Sequence, residues 1–198
     1  MKQALLIFTK NLIHGEVKTR LAATVGNELA FLIYSQLLEH TDSVTKDIPF
    51  DKFVFYSSKI EQDDVWNDSI YKKQVQTGND LGERMRNAFA YAFNKDYQKV
   101  VIIGTDCPAL TEKIIHDAFK SLEEADVVIG PASDGGYYLL GLKQLHPYLF
   151  ENIQWSTANV FPETIKRCKQ NNLLLLVLEQ LHDVDEEQDL VYMEDIKR

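Results

Sequence analysis

The residues of this sequence best placed to do chemistry are carboxylates and cations that stand just after apolar runs. Asp106 follows Val100-Val-Ile-Ile103, a β-branched run that reads as a strand buried on both faces, ended by Gly104. Open α/β sheets bind ligands at the carboxyl ends of their strands. A carboxylate there can hold a hard cation against phosphate oxygens, or it can cap the turn or the helix that Pro108 and Thr111 introduce. Lys10, Lys18 and Arg20 fall in the polar segment Thr9 to Arg20, behind a first predicted strand at Ala4 to Phe8. With Gly15 allowing close backbone approach, that segment suits a phosphate cradle. Arginine would bind phosphate oxygens as a fork and lysine as a point charge. A solvated basic loop is the bland alternative, and the Gly-Lys-Ser/Thr spacing of a Walker A loop is absent.

Three further groups have the same double reading. Asp134-Gly135-Gly136 is a turn signal, yet a double glycine beside a carboxylate also lets a bulky ligand lie on the backbone. Asp183 and Asp185 follow the apolar run Leu173 to Leu178, with Asp189 one turn into a predicted terminal helix. They bind a cation or cap that helix. Arg84 lies in the early turns of a helix capped by Asn79 or Asp80, where a basic residue does not complement the helix dipole. A bound phosphate would explain it, and so would an ion pair with Glu83. Trp155 stacks on a base or sugar, or packs in the core.

The elements that must position these residues alternate. Strands are expected at Ala4–Phe8, Phe53–Tyr56, Lys73–Gln76, Val100–Ile103, Val127–Ile129, Tyr137–Leu142 and Leu173–Leu178. Between them fall helical patterns: a long one over Gly26–Thr45, one carrying Leu81, Met85, Ala88 and Phe89, and one through Ala118 and Leu122. A last one carries Val160, Thr164, Ile165 and Cys168, capped by Ser156 or Thr157. Tyr34 and Trp66 read as packing residues. The alternation predicts a three-layer α/β/α, Rossmann-like domain over residues 1–198, with a mostly parallel mixed sheet. Lys18 and Arg20, Asp106, Asp134 and Asp185 then gather at one sheet edge.

Composition narrows the partners. Hydrophobic residues make up 45% and charged residues 26%, ordinary for a globular chain, and the net charge of −9 argues against nucleic acid or an anionic membrane as partner. Two cysteines, Cys107 and Cys168, make no disulfide framework. Ala4–Phe8 is too short for a signal-peptide core, so a reducing, cytoplasmic setting is expected. Homodimerisation is left open.

Several segments resemble one family in order: Phe8-Thr-Lys10, Gly15-Glu-Val-Lys-Thr-Arg-Leu21, Gln76 through Arg84, Gly104-Thr-Asp-Cys-Pro108, Gly130-Pro-Ala-Ser-Asp-Gly-Gly-Tyr-Tyr138, Trp155-Ser-Thr157 and Asp183-Val-Asp185. The chain resembles the radical-SAM/selenodomain-associated transferase 1 family. Its members are also described as arsenosugar-biosynthesis glycosyltransferases of the nucleotide-diphospho-sugar transferase superfamily. More distantly it is similar to phospholactate guanylyltransferases. The resemblance implies a GT-A-type fold, a nucleotide-activated sugar or nucleoside triphosphate as one substrate, and a small-molecule acceptor as the other. It implies Lys10, Gly15, Lys18, Arg20 and Arg84 on the phosphates. Asp106 and Asp185 would hold Mg²⁺ or Mn²⁺, Asp106 and Asp134 would be catalytic, with Asp134 as general base, and Gly135, Gly136, Tyr137 and Trp155 would line the substrate. The chain departs from the pattern in lacking an Asp-X-Asp motif and in carrying Glu186 where threonine is usual.

Three functions are therefore expected in this order: metal-dependent glycosyl transfer, nucleotidyl transfer with pyrophosphate release, and a non-catalytic protein that retains the fold.

Overall fold

The computed structural model describes residues 2–197. Seven strands form one sheet: β1 (Gln3–Thr9), β2 (Asp51–Tyr56), β3 (Tyr71–Val75), β4 (Lys99–Ile103), β5 (Val127–Pro131), β6 (Tyr137–Leu142) and β7 (Leu175–Val177). Their order across the sheet is β3-β2-β1-β4-β6-β5-β7. β1 lies parallel to both β2 and β4, whereas β6 runs antiparallel to β4 and β5. The single reversed strand arises from the short hairpin β5–β6, whose turn holds Asp134-Gly135-Gly136; a parallel return needs a long crossover instead.

Five α-helices cover the sheet among the described residues: α1 (Thr19–Val25), α2 (Asn27–Thr45), α3 (Leu81–Phe93), α4 (Glu112–Ser121) and α5 (Val160–Gln170). Side chains alternate along each strand. Leu5, Ile7, Val101 and Ile103 therefore face one way and pack with Leu21 of α1, Leu37 of α2 and Ile115 of α4. Ala4, Leu6, Val100 and Ile102 face the other way and pack with Met85 and Phe89 of α3 and Cys168 of α5. All five residues of β4 are buried, as a run without polar alternation requires. The three-layer α/β/α architecture is the one the strand and helix patterns predict.

The differences lie at the ends of elements. The segment expected to be loop up to Arg20 ends in a separate short helix, α1, because Lys18 takes a left-handed conformation (φ 49°) and Gly26 (φ 86°) breaks α1 from α2. α5 starts after Asn159, with neither Ser156 nor Thr157 capping it, because Ser156 is itself turned to positive φ. The strand expected over Leu173–Leu178 is confined to β7. β7 pairs only with β5 and has largely exposed residues. The terminal segment Glu187–Lys197 is a 3₁₀ helix rather than an α-helix. No helix among the described residues is long and apolar enough to cross a membrane.

Candidate functional site

The carboxyl ends of β1, β2 and β4, the β5–β6 turn and the loop after β7 surround one cleft of about 550 Å³. Its floor is built around Tyr34, a buried residue of α2. The Tyr34 hydroxyl lies 3.2 Å from Thr9 Oγ1 and 3.1 Å from Thr105 Oγ1, and it accepts the Lys10 backbone N–H at 2.9 Å. One side chain thus ties the loop after β1 to the loop after β4. Burial, then the Asp106 charge, raises the Tyr34 hydroxyl above its usual range, so it acts as a neutral hydrogen-bonding group.

Asn11 fixes the other side of the β1 loop. Its carbonyl oxygen accepts from the Ser58 N–H at 3.0 Å and from the Ser58 hydroxyl at 2.9 Å. Its amide donates to the Lys59 carbonyl and to Glu61 Oε1, both at 2.8 Å. Gln76 donates from Nε2 to the carbonyls of Thr9 (3.2 Å) and Phe55 (2.9 Å) at the cleft wall. Asn11 is buried with both arms of its amide engaged, which makes the loop rigid.

Within this frame the left-handed turn at Lys18 drives its side chain inward until only 4% of it is exposed. The ammonium lies 2.5 Å from Asp106 Oδ1 and 3.1 Å from Asp185 Oδ1. Burial pulls the ammonium pKa down, but the two carboxylates outweigh burial and raise it above the usual lysine range, so the amine stays charged. The two acidic loops are also joined through backbone, because the Val184 N–H donates to the Asp106 carbonyl at 2.9 Å. Asp189 Oδ2 accepts the N–H groups of Asp185 (3.0 Å) and Glu186 (2.8 Å), which fixes the loop carrying Asp185.

Asp183 stands in the same cleft. Burial, then the charges of Asp106 and Asp134, push its carboxyl up to about 8 against the opposing pull of Lys18. That environment favours the protonated carboxyl, which can donate a hydrogen bond. Cys107, beside Asp106, is buried, and burial raises its thiol well above the usual range; it packs as a small apolar residue.

Lys10, Lys18, Arg20, Arg84, Asp106, Asp134, Gly136, Tyr137, Trp155 and Asp185 all line the cleft. Gly15 and Gly135 do not. Gly15 is exposed and takes φ +79° in the turn before α1. Gly135 takes φ +88°, and a Cβ there would stand 2.5 Å from the Ala158 backbone, so it seats the β5–β6 turn against the segment entering α5. Trp155 is half-buried and meets Tyr137 edge-on, with ring centroids 6.5 Å apart. Its indole lies over Gly82 in the first turn of α3, where a Cβ would fall 2.2 Å from Nε1. Asp80 caps that helix by accepting the Glu83 N–H at 2.8 Å, and Glu83 reaches back to the Asn79 N–H at 2.8 Å. This reciprocal pair takes Glu83 away from Arg84, and Arg84 donates from Nε to the Gly78 carbonyl instead.

Among the described residues, no group of three or more His, Cys, Asp or Glu side chains is arranged to hold a metal ion. Asp106 and Asp185 nevertheless reach a common point, since both touch one lysine nitrogen. Two carboxylates suffice for a hard cation that completes its shell with phosphate oxygens and water. The residues present fit such an ion.

Sequence reasoning missed Tyr34, Asn11, Gln76 and Gly82 as builders of this site, whereas it read Asp183 and Asp189, with Asp185, as a cluster that binds a cation or caps a helix.

The sheet order with its one reversed strand, and the cleft above β1 and β4, define a nucleotide-diphospho-sugar transferase fold. A family model described as "Uncharacterized protein conserved in bacteria (DUF2064)" matches residues 40–157, and the chain belongs to that family. A crystal structure from Desulfovibrio desulfuricans G20, of a protein provisionally named a nucleotide-diphospho-sugar transferase, matches with a TM-score of 0.90 at 30% identity. The match covers 98% of this chain and 88% of that one. The 4-diphosphocytidyl-2C-methyl-D-erythritol synthase of Anaerococcus prevotii DSM 20548 matches with a TM-score of 0.58 at 9% identity, over 100% and 96% of the two chains. A CMP:2-keto-3-deoxy-manno-octonic acid synthetase solved with CTP matches with a TM-score of 0.58 at 9% identity, over 100% and 98%. These last two share the fold alone. No curated protein matches the chain.

Proposed function

We propose that the cleft is the active site of a nucleotide-utilising transferase that moves a sugar from a nucleotide-activated donor to a small acceptor. The observation that carries this reading is the meeting of four cationic side chains, Lys10, Lys18, Arg20 and Arg84, with the Asp106–Asp185 pair in one cleft. Cations of this kind bind a diphosphate and stabilise the charge that grows on it as the glycosyl bond breaks. Asp106 and Asp185 would hold a divalent cation, which supplies further neutralisation of the departing phosphate. Asp134, in the turn beside Gly136, would take the proton of the acceptor hydroxyl. Tyr137 and Trp155 form an aromatic wall suited to the face of a sugar or base. Within the superfamily, the ordered motifs from Phe8-Thr-Lys10 to Asp183-Val-Asp185 favour the radical-SAM-associated, arsenosugar-type branch.

Nucleotidyl transfer is the second reading. Its support is the fold shared with a 4-diphosphocytidyl-2C-methyl-D-erythritol synthase and with a CMP:2-keto-3-deoxy-manno-octonic acid synthetase solved with CTP. Product analysis separates the two. Incubation with nucleotide sugars, Mn²⁺ and a panel of small hydroxylated acceptors should release nucleoside diphosphate. Pyrophosphate from nucleoside triphosphates, without any turnover of nucleotide sugars, would move the assignment to nucleotidyl transfer.

A further inference from the structure

Lys18 is in an unusual position for a phosphate ligand. Its ammonium is buried and already held, on the Oδ1 atoms of both Asp106 and Asp185. Those are the carboxylates that would hold a divalent cation. Two carboxylates and one ammonium sum to a single negative charge, so the pair is only half neutralised by lysine. A dication on the same oxygens would stand within a few ångströms of the ammonium, and like charges at that range repel strongly in a partly buried site. Occupancy of the pair by both at once is therefore costly.

The chain is built to let the ammonium move. Lys18 sits at the N-cap of α1, so its backbone is fixed, while its four-carbon stem has rotatable bonds that can carry the ammonium to another rotamer. Lys10 and Arg20 line the cleft beside it. An ammonium leaving the pair stays in the cleft and adds to that cationic set.

We propose that Lys18 and a divalent cation are alternative partners of the Asp106–Asp185 pair, and that the displaced ammonium turns to nucleotide phosphate, so that metal and phosphate binding reinforce each other. The inference rests on the reading of that pair as a cation site. Metal bound alone must expel an ammonium that has no new anion to meet. Phosphate bound alone must draw the ammonium away from two carboxylates. Each ligand removes the cost of the other, and by linkage the coupling is reciprocal.

The test uses the whole chain, with Mn²⁺ and inorganic pyrophosphate as probes. Electron paramagnetic resonance counts free Mn²⁺ during titration of wild type, Lys18→Met and Lys18→Arg. Lys18→Met should bind Mn²⁺ alone more tightly than wild type by about tenfold or more, the worth of a charge-assisted hydrogen bond, and should lose the enhancement by pyrophosphate. Lys18→Arg keeps the charge and should bind Mn²⁺ alone as weakly as wild type. A second readout isolates movement from charge: acylation of the Lys18 amine, mapped by mass spectrometry, should be slow in chelator, fast with Mg²⁺ alone, and slow again with Mg²⁺ and pyrophosphate together. Unchanged Mn²⁺ affinity in Lys18→Met, or acylation indifferent to Mg²⁺, would overturn the exchange while leaving the cation site standing. Absence of Mn²⁺ binding by every protein would overturn both.

Discussion

The Val184 N–H donates to the Asp106 carbonyl at 2.9 Å, so the loop that follows β7 is stitched to the loop that follows β4. That tie sets the Asp185 carboxylate beside Asp106, so that both meet the Lys18 ammonium. Neither loop is regular structure, and the geometry of the pair depends on such local ties.

Asp189 is the second tie. Replacing it with alanine leaves the Asp185 and Glu186 N–H groups without their acceptor. The expected cost is that of a lost N-cap, about 1 kcal/mol, seen as a lower melting temperature. The stabilisation given by Mn²⁺ with pyrophosphate should fall as well, because Asp185 loses its fixed position. Asp189→Asn keeps one acceptor oxygen and should retain much of both. A melting temperature and ligand response equal to wild type in Asp189→Ala would contradict this role.

Gly82→Ala tests the aromatic wall. Alanine raises helix propensity by about 1 kcal/mol over glycine, but its Cβ would fall 2.2 Å from the Trp155 indole. The half-buried indole is expected to swing outward, so that the helix gain offsets the lost packing and global stability changes little. Tryptophan emission should shift to the red while Trp66, buried against Tyr71, stays unchanged. Emission identical to wild type would place Trp155 elsewhere.

His40 on α2 bonds the Leu110 carbonyl through Nε2 at 2.9 Å, anchoring the segment that leads from Asp106 to α4. Burial lowers its pKa below the usual histidine value, against the smaller opposing effect of that bond. A histidine of this kind stays neutral in the folded chain while the unfolded chain takes up a proton near pH 6.5. Its contribution is therefore present above that pH and is lost as pH falls below it. Urea denaturation should show the stability advantage of wild type over His40→Gln shrinking from pH 7.5 to pH 5. An advantage that grows on acidification would reverse the sign and contradict the burial argument.

The layers of the fold were legible because β4 and its neighbours are short apolar runs and α2 and α3 carry clean helical spacing. Asp106 could be placed because it directly follows such a run. What the sequence did not disclose are contacts made at long range through one atom. Tyr34 on an apolar helix face reads as packing, and its hydroxyl matters only because Thr9 and Thr105 arrive beside it. Asn11 and Gln76 are polar residues in polar segments until β1 and β2 bring their carbonyl partners together. The start of α1 depends on the left-handed turn at Lys18, a conformation few side chains adopt and no local pattern announced. The raised carboxyl of Asp183 likewise needs Asp106 and Asp134 from two other loops.

The proposed function requires that this cleft bind nucleotide phosphates through its cations and the Asp106–Asp185 pair. The most direct measurement is a thermal-shift screen of wild type and Asp106→Ala against nucleoside diphosphates, triphosphates and nucleotide sugars, with and without Mn²⁺. A ligand that prefers the folded state raises its melting temperature by mass action, whatever the acceptor. A Mn²⁺-dependent rise with nucleotide sugars is expected in wild type and is expected to be lost in Asp106→Ala. Equal shifts in the two proteins, or no shift with any nucleotide in a folded wild type, would contradict it.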